Sequence, residues 1–165
     1  IPKHLECISA KLIEMGCTVI EYDDAVRVKA GDFIRSAKIK TLPYPGFPTD
    51  LQSPAMAVLA TIPGVSRIRE KIFEDRYKTA SWLCKMGAQI QIRDGVAVIY
   101  GGQPLTGCTV EAEELRGGAA LVIAALAAQG ITRIRGCCFI ERGYEHICED
   151  LTALGGLLIK DRGTL

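Results

Sequence analysis

The sequence is poor in histidine, with two in 165 residues, His4 and His146. It contains no Cys-x-x-Cys pair, although it has seven cysteines. Without histidine clusters or Cys-x-x-Cys spacing, the pattern of a zinc site is missing. The cysteine number is odd, so at least one thiol stays unpaired, and free thiols in a reducing compartment are the ordinary reading. No apolar run reaches the length of a membrane span; the longest, Ala119 to Ala128, is ten residues. The N-terminus lacks the layout of a secretory signal. Charge of either sign is not in excess: the formal net charge is +1. Aromatic residues are 6% of the chain, and of the five tyrosines only Tyr77 and Tyr144 lie within two residues of an arginine. A base-stacking platform is therefore absent, and neither a nucleic acid nor a membrane surface is an expected partner. What remains is 48% hydrophobic residues and 24% charged residues, the composition of a globular domain with a core of its own.

Hydrophobic periodicity and turn residues predict a mixed α/β chain. A helix is expected over His4–Met15, a hairpin over Cys17–Glu21 and Ala25–Lys29, and a strand over Ala37–Leu42. The turn-rich stretch Pro45-Gly-Phe-Pro-Thr-Asp-Leu-Gln52 leads into a helix over Leu51–Ala60, followed by a strand over Val65–Ile72. The order then recurs: helix Asp75–Met86, hairpin Ala88–Ile92 and Val96–Tyr100, strand Cys108–Glu111, helix Leu115–Ala128 and strand Ile131–Cys138. A third helix, Gly143–Leu154, and a last strand, Gly156–Lys160, follow.

Three of these helices end in glycine, at Gly16, Gly87 and Gly155, spaced 71 and 68 residues apart. A tighter match needs no gap. Residues Gly64 to Arg76 align with Gly130 to Arg142 at an offset of 66, with six identities in thirteen positions. The chain thus reads as two repeat units, over approximately residues 4–74 and 75–142, and a remnant over 143–165. A remnant, together with a start at Ile1-Pro2 in place of an initiator methionine, leads to the expectation that these 165 residues are a fragment of a longer protein.

The offset of 66 pairs Asp50 with Arg116 and Arg76 with Arg142. Asp50 and Arg116 each stand at the head of an apolar helix. Helix heads carry unpaired N–H groups and partial positive charge, so they suit anions. An arginine there opposes the dipole, at a cost of about 0.3–1 kcal/mol. Two readings of Asp50 stand side by side: a helix cap, a role open to Thr49 also, or a working carboxylate. Arg76 and Arg142 equally read as surface arginines paired with Asp75 and Glu141. Arg67, Arg69, Arg133 and Arg135 alternate along strands, as solvated outer-face residues do.

At these residues the chain resembles the C-terminal portion of the UDP-N-acetylglucosamine enolpyruvyl transferase (MurA) family. The motifs that carry the resemblance are Phe47-Pro-Thr-Asp-Leu-Gln52, Ile72-Phe-Glu-Asp-Arg76, Glu114-Leu-Arg-Gly-Gly-Ala-Ala-Leu-Val122 and Glu141-Arg-Gly-Tyr-Glu145. The resemblance implies an α/β fold of repeated βαβαββ units around a pseudo-threefold axis, an inside-out barrel whose helix heads face an interdomain cleft. It implies the transfer of an enolpyruvyl group from phosphoenolpyruvate to the 3′-hydroxyl of UDP-N-acetylglucosamine, with release of phosphate, in peptidoglycan synthesis in the cytoplasm. No cofactor is implied. Asp50 matches the general base, Ile72 and Phe73 the wall of the nucleotide-sugar site, and Arg116 and Arg142 the arginines on the phosphoenolpyruvate side, with Arg76 in the same cluster. The family's lysine, its loop cysteine and further arginines fall outside these residues, so the portion alone is expected to be inactive. The sequence departs from the family pattern at Pro54, Glu114, Phe139 and Glu141. Two alternatives accompany this reading: a non-catalytic relative that binds nucleotide sugar, and an enzyme acting on shikimate phosphate.

Overall fold

A computed structural model describes residues 1–160 of the chain. A single 3-10 turn, Pro2–Leu5, leads into α1 (Glu6–Met15). Gly16 stops α1 at φ 102°, a left-handed conformation that costs glycine no Cβ clash. There Gly16 N–H donates to Ile13 O and Cys17 N–H to Leu12 O, both at 2.9 Å. Gly87 and Gly155, at φ 103° and 96°, close their helices with the same pair of bonds.

After α1 come the hairpin β1 (Thr18–Glu21) and β2 (Val26–Lys29), then β3 (Lys38–Lys40). A 3-10 turn over Thr49–Leu51 opens α2 (Gln52–Thr61), and β4 (Gly64–Arg69) follows. The order is then helix α3 (Thr79–Lys85), hairpin β5 (Gln89–Arg93) and β6 (Val96–Gly101), β7 (Thr109–Glu111), helix α4 (Leu115–Ala127) and β8 (Arg133–Arg135). Two short helices, α5 (Cys137–Glu141) and α6 (Ile147–Ala153), come last. The central sheet has the order β3-β4-β6-β5, with β3 parallel to β4 and the hairpin antiparallel. Two smaller sheets, β1-β2 and the parallel pair β7-β8, flank it in sequence. Along β4, Ser66 and Ile68 face the core while Arg67 and Arg69 face solvent, as the alternation predicts.

The helices α2 and α4 are apolar nearly all round, which suits a helix covered on most sides. Their mutual packing is the most extensive between helices. Met56, Leu59, Ile68, Leu83, Met86, Ile99 and Leu121 form a single core between them and the central sheet.

Several boundaries differ from expectation. The strand expected over Val65–Ile72 ends at Arg69, because Glu70 turns out of the ladder and its carboxylate takes up the next amides. The helix expected from Asp75 begins at Thr79, since Arg76 and Tyr77 are held in tertiary contacts instead. The strand expected over Ile131–Cys138 keeps only Arg133–Arg135; Gly136, at φ 71°, turns the chain and Cys137–Glu141 is helical. The helix over Gly143–Leu154 shrinks to Ile147–Ala153. No strand forms over Gly156–Lys160, where no strand among the described residues pairs with it. The end of the expected remnant, 161–165, lies outside the described residues.

Leu83 is fully buried on α3, whereas Leu12, 71 residues earlier on α1, is half-buried. Leu83→Ala is expected to cost about 2–5 kcal/mol of folding stability, and Leu12→Ala clearly less. Urea denaturation of the two variants checks this; equal losses would contradict the packing described.

Candidate active site at two helix heads

The first turn of α4 is shaped by glycine. A Cβ on Gly117 would lie 2.3 Å from Thr79 Oγ1, and one on Gly118 would lie 2.5 Å from Ile140 Cγ1. Only glycine lets this turn approach α3 and α5 so closely. Glu114 caps the helix: its carboxylate accepts from the backbone N–H of Arg116 at 3.0 Å and from that of Gly117. The longer acid, where the family pattern has aspartate, still performs the cap. With the backbone amides served by Glu114, the Arg116 side chain is free to reach across to α2.

It reaches Asp50. Arg116 Nε donates to Asp50 Oδ1 at 2.9 Å, and Arg76 Nη2 lies 3.8 Å from the same oxygen. The Arg76 guanidinium stacks over the Phe73 ring, 4.6 Å from its centroid. Both contacts fall on Oδ1, and Oδ2 has no partner among the described residues. The Asp50 side chain is 61% exposed, and Arg76 is 16% exposed. An ion pair this open to water is worth at most about 1 kcal/mol, so stability does not account for three charged residues converging here. Nor is Asp50 a cap, because no side chain caps the 3-10 turn or α2. Thr49 does not cap either; its hydroxyl donates to Glu70.

Glu70 is a further member of the site, outside the residues that the motifs mark. It is buried, 7% exposed, and directly follows β4. Oε1 accepts from Thr41 Oγ1 at 2.8 Å and from the backbone N–H of Ile72 at 2.7 Å and Phe73 at 3.2 Å. Oε2 accepts from Thr49 Oγ1 at 2.9 Å. Burial pushes its carboxyl up, but the Ile72, Thr41, Thr49 and Phe73 bonds together outweigh burial and hold it below the usual carboxylate range. Tyr77 fixes the backbone beneath it: its hydroxyl accepts from Glu70 N–H at 3.0 Å and lies 2.8 Å from Ile68 O. Burial is the main reason the Tyr77 phenol is raised. A signal for Glu70 existed in the repeat, where its counterpart at the offset of 66 is Gly136.

Of the predicted residues, Asp50, Arg116, Arg76 and Phe73 are brought together, and Ile72 adjoins them with its N–H on Glu70. Arg142 is not part of the cluster. It is exposed at the end of α5, and its side chain makes no hydrogen bond or ion pair among the described residues. The reason is local: after Gly136 the second copy coils into α5, where the first copy runs as a loop. The alternative pairings of these arginines with their neighbouring acids do not form, since Asp75 pairs with Lys78 at 3.2 Å and Glu141 with Lys160 at 2.5 Å. Among the described residues no three His, Cys, Asp or Glu side chains gather as a metal set. An apolar groove of about 190 Å³ between α1 and α2, lined by Leu12, Met15, Phe47, Pro54 and Val58 among others, holds none of the clustered groups and is separate from the site.

The fold is that of the enolpyruvyl transferases. The structure superimposes on the enolpyruvyl transferase NikO from Streptomyces tendae with a TM-score of 0.84 and 29% identity, over 93% of this chain and 36% of that one. EPSP synthase from Acinetobacter baumannii shares the fold at a TM-score of 0.60 and 19% identity. The chain belongs to the EPSP synthase (3-phosphoshikimate 1-carboxyvinyltransferase) family, whose model matches residues 2–151. It is 49% identical over 162 residues to UDP-N-acetylglucosamine 1-carboxyvinyltransferase 3 of Caldanaerobacter subterraneus subsp. tengcongensis, and 50% identical over 155 residues to UDP-N-acetylglucosamine 1-carboxyvinyltransferase of Desulfofundulus thermocisternus. These matches cover 98% and 94% of this chain, but 39% and 64% of those proteins.

Because the folded pKa of Glu70 lies below its unfolded value of about 4.3, its stabilisation is complete above that pH and is lost as pH falls through the lower folded value. Glu70→Gln is therefore expected to cost about 1–3 kcal/mol at neutral pH, with the gap to the native chain closing on acidification below about pH 4. Urea midpoints taken at stepped pH check this; a gap that stays constant into acid would contradict it.

Proposed function

We propose that this chain supplies one wall of an active site that transfers the enolpyruvyl group of phosphoenolpyruvate to the 3′-hydroxyl of UDP-N-acetylglucosamine. The observation that carries this reading is Asp50: an exposed carboxylate flanked by two guanidinium groups, with one oxygen engaged and the other open. The relatives at 49% and 50% identity, both UDP-N-acetylglucosamine 1-carboxyvinyltransferases, support it.

In this reading Asp50 Oδ2 accepts the proton of the sugar hydroxyl as its oxygen bonds to C2 of phosphoenolpyruvate, while C3 gains a proton. The tetrahedral adduct then loses a proton from C3 and releases phosphate, restoring the enol ether. Arg116 moves from Asp50 to the phosphate or carboxylate of phosphoenolpyruvate, for which its planar fork is suited. Arg142 serves the same substrate when the rest of the enzyme closes over the site. Ile72 and Phe73 line the nucleotide-sugar side, and Arg76, braced on Phe73, keeps positive potential beside Asp50. The remaining length of the relatives, as an N-terminal part of the same protein, would bring the lysine and loop cysteine that the family resemblance implies. The proposed setting is peptidoglycan synthesis in the cytoplasm, and the portion alone is expected to be inactive.

In a protein of the relatives' full length carrying this chain, phosphate release from phosphoenolpyruvate is expected only when UDP-N-acetylglucosamine is present. Asp50→Ala is expected to lower kcat by roughly 10²–10⁴-fold with stability changed by at most about 1 kcal/mol. Native turnover in that variant would remove Asp50 as the base. Calorimetric binding of the nucleotide sugar without phosphate release would mark a non-catalytic relative, and release with shikimate 3-phosphate would mark the sister activity.

A further inference from the structure

We infer that Glu70 is a positioning residue whose carboxylate ties the Asp50 turn to the Ile72–Phe73 turn, so that one buried group sets the base and the nucleotide-sugar wall together. This rests on the function proposed above. The two oxygens divide the work. Oε2 holds Thr49, the residue covalently before Asp50, while Oε1 holds the amides of Ile72 and Phe73 and the end of β3 through Thr41. Phe73 carries Arg76, and Arg76 faces Asp50. A displacement of Glu70 therefore reaches Asp50 by two routes.

The second unit supplies an internal control. There Ala112 N–H donates to Arg135 O at 2.9 Å, the same joint that Thr41 N–H makes to Arg69 O at 3.0 Å. Across this shared joint Thr41 is replaced by Ala112, and at the offset of 66 Thr49 is replaced by Leu115 and Glu70 by Gly136. Every polar member of the strap is absent, yet the strand pair and its following helix still form. The architecture does not need the carboxylate; only the unit that carries Asp50 has it. Glu70 also has no ion-pair partner among the described residues, so its charge is balanced by neutral donors alone. Burying a charge in this way is expensive unless it is fully hydrogen-bonded, as it is here. What the carboxylate adds is a loop in place of a helix. By taking the Ile72 and Phe73 amides it holds residues 71–76 open, where the second copy coils into α5.

The test uses Glu70→Gln, which keeps the shape but leaves only one acceptor oxygen, and Thr49→Val, which cuts only the arm to Asp50. Both are made in the full-length protein and read by amide exchange and by steady-state kinetics. Glu70→Gln is expected to speed exchange at Ile72 and Phe73, raise KM for UDP-N-acetylglucosamine and lower kcat. Thr49→Val is expected to leave those amides slow and KM unchanged while lowering kcat, by up to roughly a hundredfold for an ångström of misplacement. In an Asp50→Ala background Thr49→Val is expected to cost no further activity, whereas a merely structural role predicts that the losses multiply. Unchanged exchange in Glu70→Gln would overturn the strap whatever the reaction is. Faster exchange with native kinetics in both variants would overturn the positioning role. Faster exchange in a protein whose native form does not release phosphate would leave the strap in place and remove the proposed function instead.

Discussion

The close packing of α2 against α4 is the constraint on which the rest of the structure depends. Both helices are apolar nearly all round, so each must be covered on most sides, and they cover each other first. The small residues Gly117, Gly118, Ala119 and Ala120 keep the start of α4 thin enough to sit against its neighbours. Two helix heads then come to lie side by side, and residues 66 positions apart become a contact pair, Asp50 and Arg116. The charges at the site are thus arranged by apolar packing, in which the charges themselves take no part.

Two carboxylates at this site are treated in opposite ways. Asp50 is exposed, shares one oxygen with two arginines and keeps the other open, which suits a group that must exchange partners during a reaction. Glu70 is buried, every bond it makes is to a neutral donor, and it is held ionised, which suits a group that must not move. A mobile reacting group needs a rigid neighbour, and the Thr49 hydroxyl joins the two.

Much of this is legible in the residues themselves. The helix-ending glycines were readable because the left-handed terminus leaves few residues to choose from. The hairpins fell within about two residues of expectation because period-2 alternation around an Asp-Gly or Asp-Asp turn is a local signal. Local reading failed where a distant partner decided the outcome. Arg76 and Tyr77 look like helix residues, but Asp50 and Ile68 claim them. Cys137 and Cys138 look like strand residues, but Gly136 turns the chain first. Glu70 continues the inward phase of Ser66 and Ile68, but whether a carboxylate can stand there depends on Thr41 and Thr49, which lie 29 and 21 residues away.

Neighbouring residue types suffice for the spacing of the helix-ending glycines, the apolar character of α2 and α4, and the motif residues that mark the family. Tertiary structure alone decided that Asp50 meets Arg116 and Arg76 instead of capping its helix, that Arg142 stays outside the cluster, and that Glu70 is the strap. The physical reason is that an ion pair or a buried hydrogen bond needs two groups within about 3 Å. Periodicity places a residue on a face, but only the packing of one element on another sets that distance.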